Sequence, residues 1–371
     1  MSRHHRRALA TVDLDAIRHN VRRLSRDLPR DTQYCAMVKA NGYGHGAAQV
    51  ALAAEAAGAT WQGVATIDEA EELREAGIPS RILIVGPLTG TDLVRAKRAD
   101  ADIVVWTKRL CAEALGLGLI VHVKLDSGMG RLGTDEAAAD ELVQMAASRS
   151  ASLGGLMTHF ASADGQDRSL FERQLAVFRA WVEKNHRLAP SAIVHAANSA
   201  ATLAEPRSWF GMVRCGIAMY GLSPWNDDPD RFSLRPALRL SSYVAGIREF
   251  PPGATIGYGA TFGVQRPSRI AAVPIGYADG VSRLLSNRGV VVIHGHRCRI
   301  VGRVSMDLLT VELPDGIGRV GQEVVLIGSS GNERVLCEEM AQTRDTIVNE
   351  VVCNLGPRIA REYVSQQERA V

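Results

Sequence analysis

The sequence has little of what would mark a metal protein, a disulfide scaffold or a membrane protein. Its six cysteines (Cys35, Cys111, Cys215, Cys298, Cys337 and Cys353) lie far apart, without the close pairing of a zinc site or the density of a disulfide framework. They read as reduced thiols, mostly buried as small apolar residues. The ten histidines show no ligand spacing: His4 and His5 fall in a basic tail, and His294 and His296 in an expected turn. No metal is therefore expected. No stretch is long and apolar enough to cross a bilayer, and the basic residues 2–7 are not followed by the apolar run of a signal peptide. A cytoplasmic protein is expected, with residues 2–7 as a solvated, frayed terminus. The formal net charge of +3 is small for 371 residues and leaves no nucleic-acid footprint. Internal repeats and low-complexity segments are absent too.

What is present is enough apolar residue, 46%, to fill cores in a chain whose length favours two domains. From about residue 33 to 222, short β-rich runs alternate with longer helical stretches such as 135–147 and 166–184, the pattern of βα units around a parallel sheet. Eight candidate strands fall at 34–38, 62–65, 82–85, 103–105, 120–125, 153–158, 193–196 and 212–218. Eight is the count of a closed (β/α)8 barrel of the TIM type. Beyond Pro236 helical patterns nearly vanish, and runs at 238–247, 270–274, 290–293 and 323–327 alternate with Gly and Pro turns. This predicts an α/β barrel over 8–235 followed by a mainly β domain over 236–371, with residues 223–236 as the linker. A last helix-like segment covers 340–352. The early run 8–14 and helix-like 15–27 precede the barrel, and this pre-barrel segment, 8–32, is a candidate to pair with the β domain.

In such a barrel the functional groups collect at the C-terminal ends of the strands. Strand one ends in Lys39, strand five in Lys124 and Asp126, strand six in His159, strand seven in Asn198 and Ser199, and strand eight carries Arg214. A lysine leaving a strand is ordinarily a solvated charge. An apolar setting disfavours the ammonium and favours Schiff-base chemistry at Lys39, while the neighbouring glycines allow close backbone approach and Tyr43 offers a hydroxyl to a phosphate. The loops after strands seven and eight are where these barrels commonly hold phosphate. Ser199 offers a hydroxyl there, and Gly216 and Ile217 offer backbone N–H groups; simple capping and tight turning would use the same residues.

The motifs AMVKANGYGHG, KLDSGMGRLG, THFASAD, HAANSA, VRCGIAMYG, IGYGATF, GRVSMD and the closing LGPRIAREY together resemble those of the alanine racemases, over almost the whole length. That resemblance implies pyridoxal 5'-phosphate as cofactor, with Lys39 holding it and serving as one acid/base and Tyr258 as the other, from the opposite face. It implies a homodimer with shared sites, in which Tyr258 comes from the partner subunit. Arg214 would face the pyridine nitrogen, with His159 holding it in place. Arg131 would contact the cofactor's phenolic oxygen and the substrate carboxylate, oriented by a carbamylated Lys124. Tyr43, Asn198, Ser199, Gly216 and Ile217 fall in the cofactor segments, and Met306 and Asp307 match residues at the substrate mouth. The implied role is D-alanine supply for peptidoglycan.

One departure stands out. The family usually has a tyrosine, which helps bind phosphate and crowds the substrate pocket, where this sequence has Asn349. A serine/alanine or broader racemase is the alternative, because a pocket that merely tolerates an added hydroxyl discriminates only about 100-fold. Further rivals are a basic amino-acid decarboxylase of the same architecture, against which Tyr258 speaks, a cofactor-carrying homeostasis barrel, against which the β domain speaks, and a cofactor-free partner-binding barrel.

Overall fold

The computed structural model describes residues 6–149, 152–188 and 190–365. Contacts divide the chain into two compact units. Of the described residues, one comprises those within 17–43 and 47–219, and the other 6–16, 44–46 and 220–365. The second unit is thus discontinuous in sequence, and it takes in the 223–236 stretch read as a linker.

The first strand, β1 (Leu9–Asp13), belongs to this second unit. The other unit is a closed parallel barrel of eight strands: β2 (Gln33–Met37), β3 (Trp61–Val64), β4 (Arg81–Ile84), β5 (Ala101–Val105), β6 (Val121–Lys124), β7 (Leu153–Met157), β8 (Ile193–His195) and β9 (Met212–Cys215). Strands buried on both faces read as near-continuous apolar runs, and Ile82, Leu83 and Ile84 or Ile103, Val104 and Val105 are such runs, all buried. The barrel closes where β2 pairs with β9, Cys35 opposite Arg214. Helices start on local caps. Thr66 and Glu69 form a reciprocal capping box at the helix Ile67–Glu75, and Asp135 caps Glu136–Ala147.

The expected strand at 212–218 is shorter than the sequence suggested. It ends at Cys215 because the next N–H, that of Gly216, donates to Ser199 Oγ at 2.9 Å instead of continuing the ladder, and a 3-10 turn follows at Ile217–Tyr220.

The β unit carries β10 (Leu238–Tyr243), β11 (Gly246–Phe250), β12 (Thr255–Ile256), β13 (Phe262–Gly263), β14 (Ser268–Val273), β15 (Val290–Ile293), β16 (His296–Arg299), β17 (Leu309–Leu313), β18 (Glu323–Ser330), β19 (Glu333–Val335) and β20 (Ala360–Val364). Its main sheet runs β16-β15-β18-β10-β1-β20, with β19 against β18; β11-β14-β17 form a second sheet and β12-β13 a ribbon. The pre-barrel strand β1 lies antiparallel to β10 and parallel to β20.

Two expectations need correction here. The run 238–247 is two strands, because Val244 N–H donates to Gln322 while Ala245 N–H donates to Ala272, so the chain changes sheets between them. The segment 340–352 is two helices, Cys337–Arg344 and Val348–Cys353, separated at Asp345, which takes a left-handed conformation (φ 54°) that ends the first. In the basic tail, residues 2–5 lie outside the described residues. Arg7 is not frayed, since it pairs with the fully buried Asp279 and reaches Asp307.

Candidate active site

At the top of β2 the backbone takes an uncommon path. Lys39, half-buried, is followed by Ala40, Asn41, Gly42 and Tyr43, all with φ between 51° and 59°. Each non-glycine residue held there costs about 1–2 kcal/mol. Local bonds hold the turn: Ala40 N–H donates to Glu69 at 2.6 Å, Gly42 N–H to Val38 O at 2.7 Å, and Ala47 N–H to Asn41 Oδ1 at 3.0 Å. Glu69 had gone unnoticed in the sequence; its other oxygen accepts from Ala65 and Thr66 N–H, so one carboxylate ties two strand ends together.

Tyr43, buried, reaches the turn after β9. A Cβ at residue 216 would overlap the Tyr43 hydroxyl, so glycine there leaves room for it. Ser199 Oγ sits in the same place, accepting from Gly216 N–H at 2.9 Å and Ala218 N–H at 3.3 Å. Asn198 Oδ1 caps the short helix Ser199–Ala204 by accepting from Ala201 N–H. Tyr43, Ser199 and Gly216 are therefore brought together, with Asn198 beside them on the same loop as Ser199.

Arg214 is a buried cation held by four acceptors. Buried on β9, it donates through Nη1 to His195 Nδ1 at 2.8 Å. Through Nη2 it donates to Thr158 O at 2.9 Å, Ala196 O at 3.0 Å and His159 Nδ1 at 3.1 Å. Burial lowers its pKa to about 10, which leaves it charged near neutrality. His159 and His195 are held neutral, by burial first and then by the Arg214 charge. Lys124, two residues beyond His122 on the same inward face of β6, is buried. Burial, then Arg214 and Arg131, push its ammonium down to about 8. Lys39 adds to the repulsion at both Lys124 and His159, which places it in the same cluster.

The glycine-rich stretch after β6 is a loop built on Asp126, whose carboxylate accepts from the N–H groups of Gly128, Met129 and Gly130 at 2.7–3.2 Å. Gly133 (φ 119°) packs against Asp126 too closely for a Cβ. Arg131 projects from this loop, exposed.

In the β unit, Tyr258 stands on a 3-10 turn with 73% of its surface exposed. Met306, also exposed, and Asp307 lie on a loop pinned by Tyr277 N–H to Ser305 O and Ala278 N–H to Met306 O, both 3.0 Å; Arg358 grips Asp307 at 2.6 Å. Asn349 is half-buried on the helix Val348–Cys353.

The barrel gathers at its strand ends a lysine, a hydroxyl cluster and a buried arginine, the arrangement expected of the pyridoxal-phosphate enzymes that the sequence resembles. The match to known proteins names the family. Residues 12–224 match the alanine racemase N-terminal domain and residues 237–363 the alanine racemase C-terminal domain. The alanine racemase of Streptococcus uberis is 41% identical across 97% of this chain and 99% of its own length, and that of Streptococcus pneumoniae 42% across 97% and 98%. Among solved structures, alanine racemase from D-cycloserine-producing Streptomyces lavendulae superposes with a TM-score of 0.93 at 36% identity, covering 99% of both chains. That from E. faecalis gives 0.90 at 38%, covering 98% of this chain and 100% of that one. The chain belongs to the alanine racemase family, a family of pyridoxal-phosphate-dependent isomerases, and its reaction is the interconversion of L- and D-alanine. The decarboxylase, carrier and cofactor-free readings give way to this assignment.

Proposed function

We propose that this chain racemises alanine by a two-base mechanism on pyridoxal 5'-phosphate bound at the barrel top, in a homodimer whose sites are shared. The observation that carries the reading is Arg214. Three of its four acceptors share the two N–H bonds of Nη2 and the fourth takes one from Nη1, so Nε–H and the other Nη1 N–H remain for a further acceptor such as an unprotonated ring nitrogen. The rest of the donor set fits the same group: the Lys39 amine for an aldehyde, and the Tyr43 and Ser199 hydroxyls with the Ile217 N–H for a phosphate, the expected Gly216 N–H being taken by Ser199 Oγ. When bound, the cofactor supplies the delocalisation that stabilises a carbanion at the substrate's α-carbon.

The protein's share is binding, orientation and proton transfer. Lys39 holds the cofactor and moves the α-proton on one face, and Tyr258 of the partner subunit moves it on the other, so that removal and return on opposite faces invert the centre. The exposure of the Tyr258 phenol supports delivery to a second subunit. Arg214, a donor that keeps its proton, leaves the ring nitrogen unprotonated and thereby limits side reactions such as transamination. Arg131 orients the substrate carboxylate with a planar fork, and Lys124, with a pKa near 8, is readily neutral enough to be carbamylated and so to orient Arg131 as an anion. Met306 and Asp307 match the family's residues at the substrate mouth, and Asn349 takes the place of the family's tyrosine. In the cell this activity supplies D-alanine for peptidoglycan from the cytoplasm.

The test is borohydride reduction of the protein loaded with pyridoxal phosphate, followed by peptide mass spectrometry, in parallel with loss of optical rotation of L-alanine. The adduct is expected on Lys39, with activity abolished by Lys39→Ala. An adduct on another lysine, or racemisation surviving the substitution, overturns the assignment.

A further inference from the structure

Behind Arg214, on the side away from Thr158 and His159, a line of buried polar groups crosses the barrel interior. His195 Nε2 lies 2.8 Å from His122 Nδ1, and His122 Nε2 lies 3.1 Å from Asp102 Oδ2. Asp102 in turn receives Arg81 Nη2 at 2.6 Å, and Arg81 is the only one of the five with an exposed side chain. These residues sit on β4, β5, β6, β8 and β9. Buried polar groups at such positions are costly unless every member is satisfied. Here the donor and acceptor roles can be assigned without choice. An arginine only donates, so His195 Nδ1 must accept, and its proton sits on Nε2. That Nε2–H donates to His122 Nδ1, so the His122 proton also sits on Nε2, and it donates to Asp102, which accepts from Arg81 as well.

The sequence is shaped around this line. β7 contains the adjacent pair Gly154 and Gly155, and a Cβ on either would overlap the His122 imidazole. Two consecutive glycines weaken a strand; in this one they open the slot that the ring occupies. Trp61 closes the other side, its ring edge-on to His122 with centroids 5.6 Å apart and the Arg81 guanidinium over its face at 4.0 Å.

We infer that Asp102 and His122 are positioning residues for Arg214: they hold His195 as the Nε2–H tautomer, so that Arg214 always meets an acceptor on that side and its plane is fixed toward the cofactor. This rests on the reading of Arg214 as the cofactor-facing group. Neither residue touches the substrate. Replacing the Asp102 carboxylate by an amide lets the His122 ring reverse its tautomer, which turns His195 Nδ1 into a donor facing the guanidinium.

The first measurement is long-range ¹⁵N–¹H correlation of the histidine rings in selectively labelled holoenzyme, with His122→Gln used to assign the two resonance sets. Both rings are expected with Nδ1 bare and Nε2 protonated. A proton on Nδ1 of either ring overturns the inference; the tautomers are read in the unmodified protein, and the variant serves only to assign them. The second is Asp102→Asn holoenzyme, for which kcat is expected to fall about 10-fold or more with KM for alanine nearly constant, since misplacing a group by a fraction of an ångström acts on the transition state. The cofactor absorption should shift and transamination per turnover should rise. Unchanged kcat and spectrum, or a loss confined to KM, overturn the positioning role. Native protein with the expected tautomers but no racemisation supports the hydrogen-bond line while sinking the proposed function, so the two failures are distinguishable.

Discussion

Lys124 is buried among cations: desolvation, then Arg214 and Arg131, bring its pKa to about 8, only partly opposed by Asp126. The neutral share of its amine therefore grows as pH climbs through about 8. Carbamylation requires that neutral form, so a carbamate resonance from ¹³C-bicarbonate should grow between pH 7 and 8.5 and vanish in Lys124→Ala. A resonance already maximal at pH 6.5 would contradict the depressed pKa. Asn349 is a separate matter of substrate ranking. Because every relative named above is an alanine racemase, Asn349→Ala is expected to lower serine and alanine turnover alike; a loss selective for serine would make the asparagine a specificity determinant. At this scale the sequence was readable wherever a residue type is rare in its setting, as with Lys39, Lys124 and Arg214 at strand ends. His122 and Asp102 escaped because neither lies at a strand's C-terminal end. Two signals pointed to them: a histidine two residues before Lys124 on one strand, and a glycine pair inside another.

Among the elements, the loop 126–133 and strand β7 make the firmest predictions. Asp126 gathers three N–H groups that would otherwise point into the loop unpaired, so Asp126→Ala should loosen Arg131 and raise KM for alanine severalfold while the melting temperature barely moves. Steady-state kinetics beside a thermal melt separates the two. Gly155→Ala forces a Cβ into the His122 ring and against Ile193 O; overpacking of this kind costs about 1–3 kcal/mol, and a lowered unfolding midpoint in urea checks it. All eight barrel strands were legible because each is a short apolar run between helical patterns. What was illegible was the change of partner. Nothing in the alternation of 238–247 announces that hydrogen bonding passes from Gln322 to Ala272 between adjacent residues, and the left-handed Asp345 that splits the last helical segment is an ordinary polar residue in the sequence.

For the molecule as a whole, acidity should matter through Glu338. This carboxyl is buried in the β unit and its pKa is raised to about 7, by burial first, against the opposing Ser223 N–H. A carboxyl with a folded pKa above its unfolded value binds a proton more tightly when folded. Its contribution is therefore complete below about pH 4.5 and is lost as pH rises through about 7, a window worth at most about 3 kcal/mol. Calorimetry should show the transition temperature declining from pH 5 to 8, and Glu338→Gln should flatten that decline; an unmodified protein insensitive to this range contradicts the raised pKa. The subunit sharing proposed above makes a second demand, that specific activity fall on dilution once dimers separate.

The placement of β1 between β10 and β20 has a consequence for synthesis. Ribosomes deliver a polypeptide from its amino end, and domains ordinarily condense in that order. Here β1 has neither neighbour until more than two hundred residues have followed it, and its parallel partner β20 begins only at residue 360. The barrel can close while translation continues, but the sheet that receives β1 cannot be completed until β20 has emerged. Nascent chains stalled short of residue 360 should thus hold a folded barrel with a protease-sensitive amino terminus.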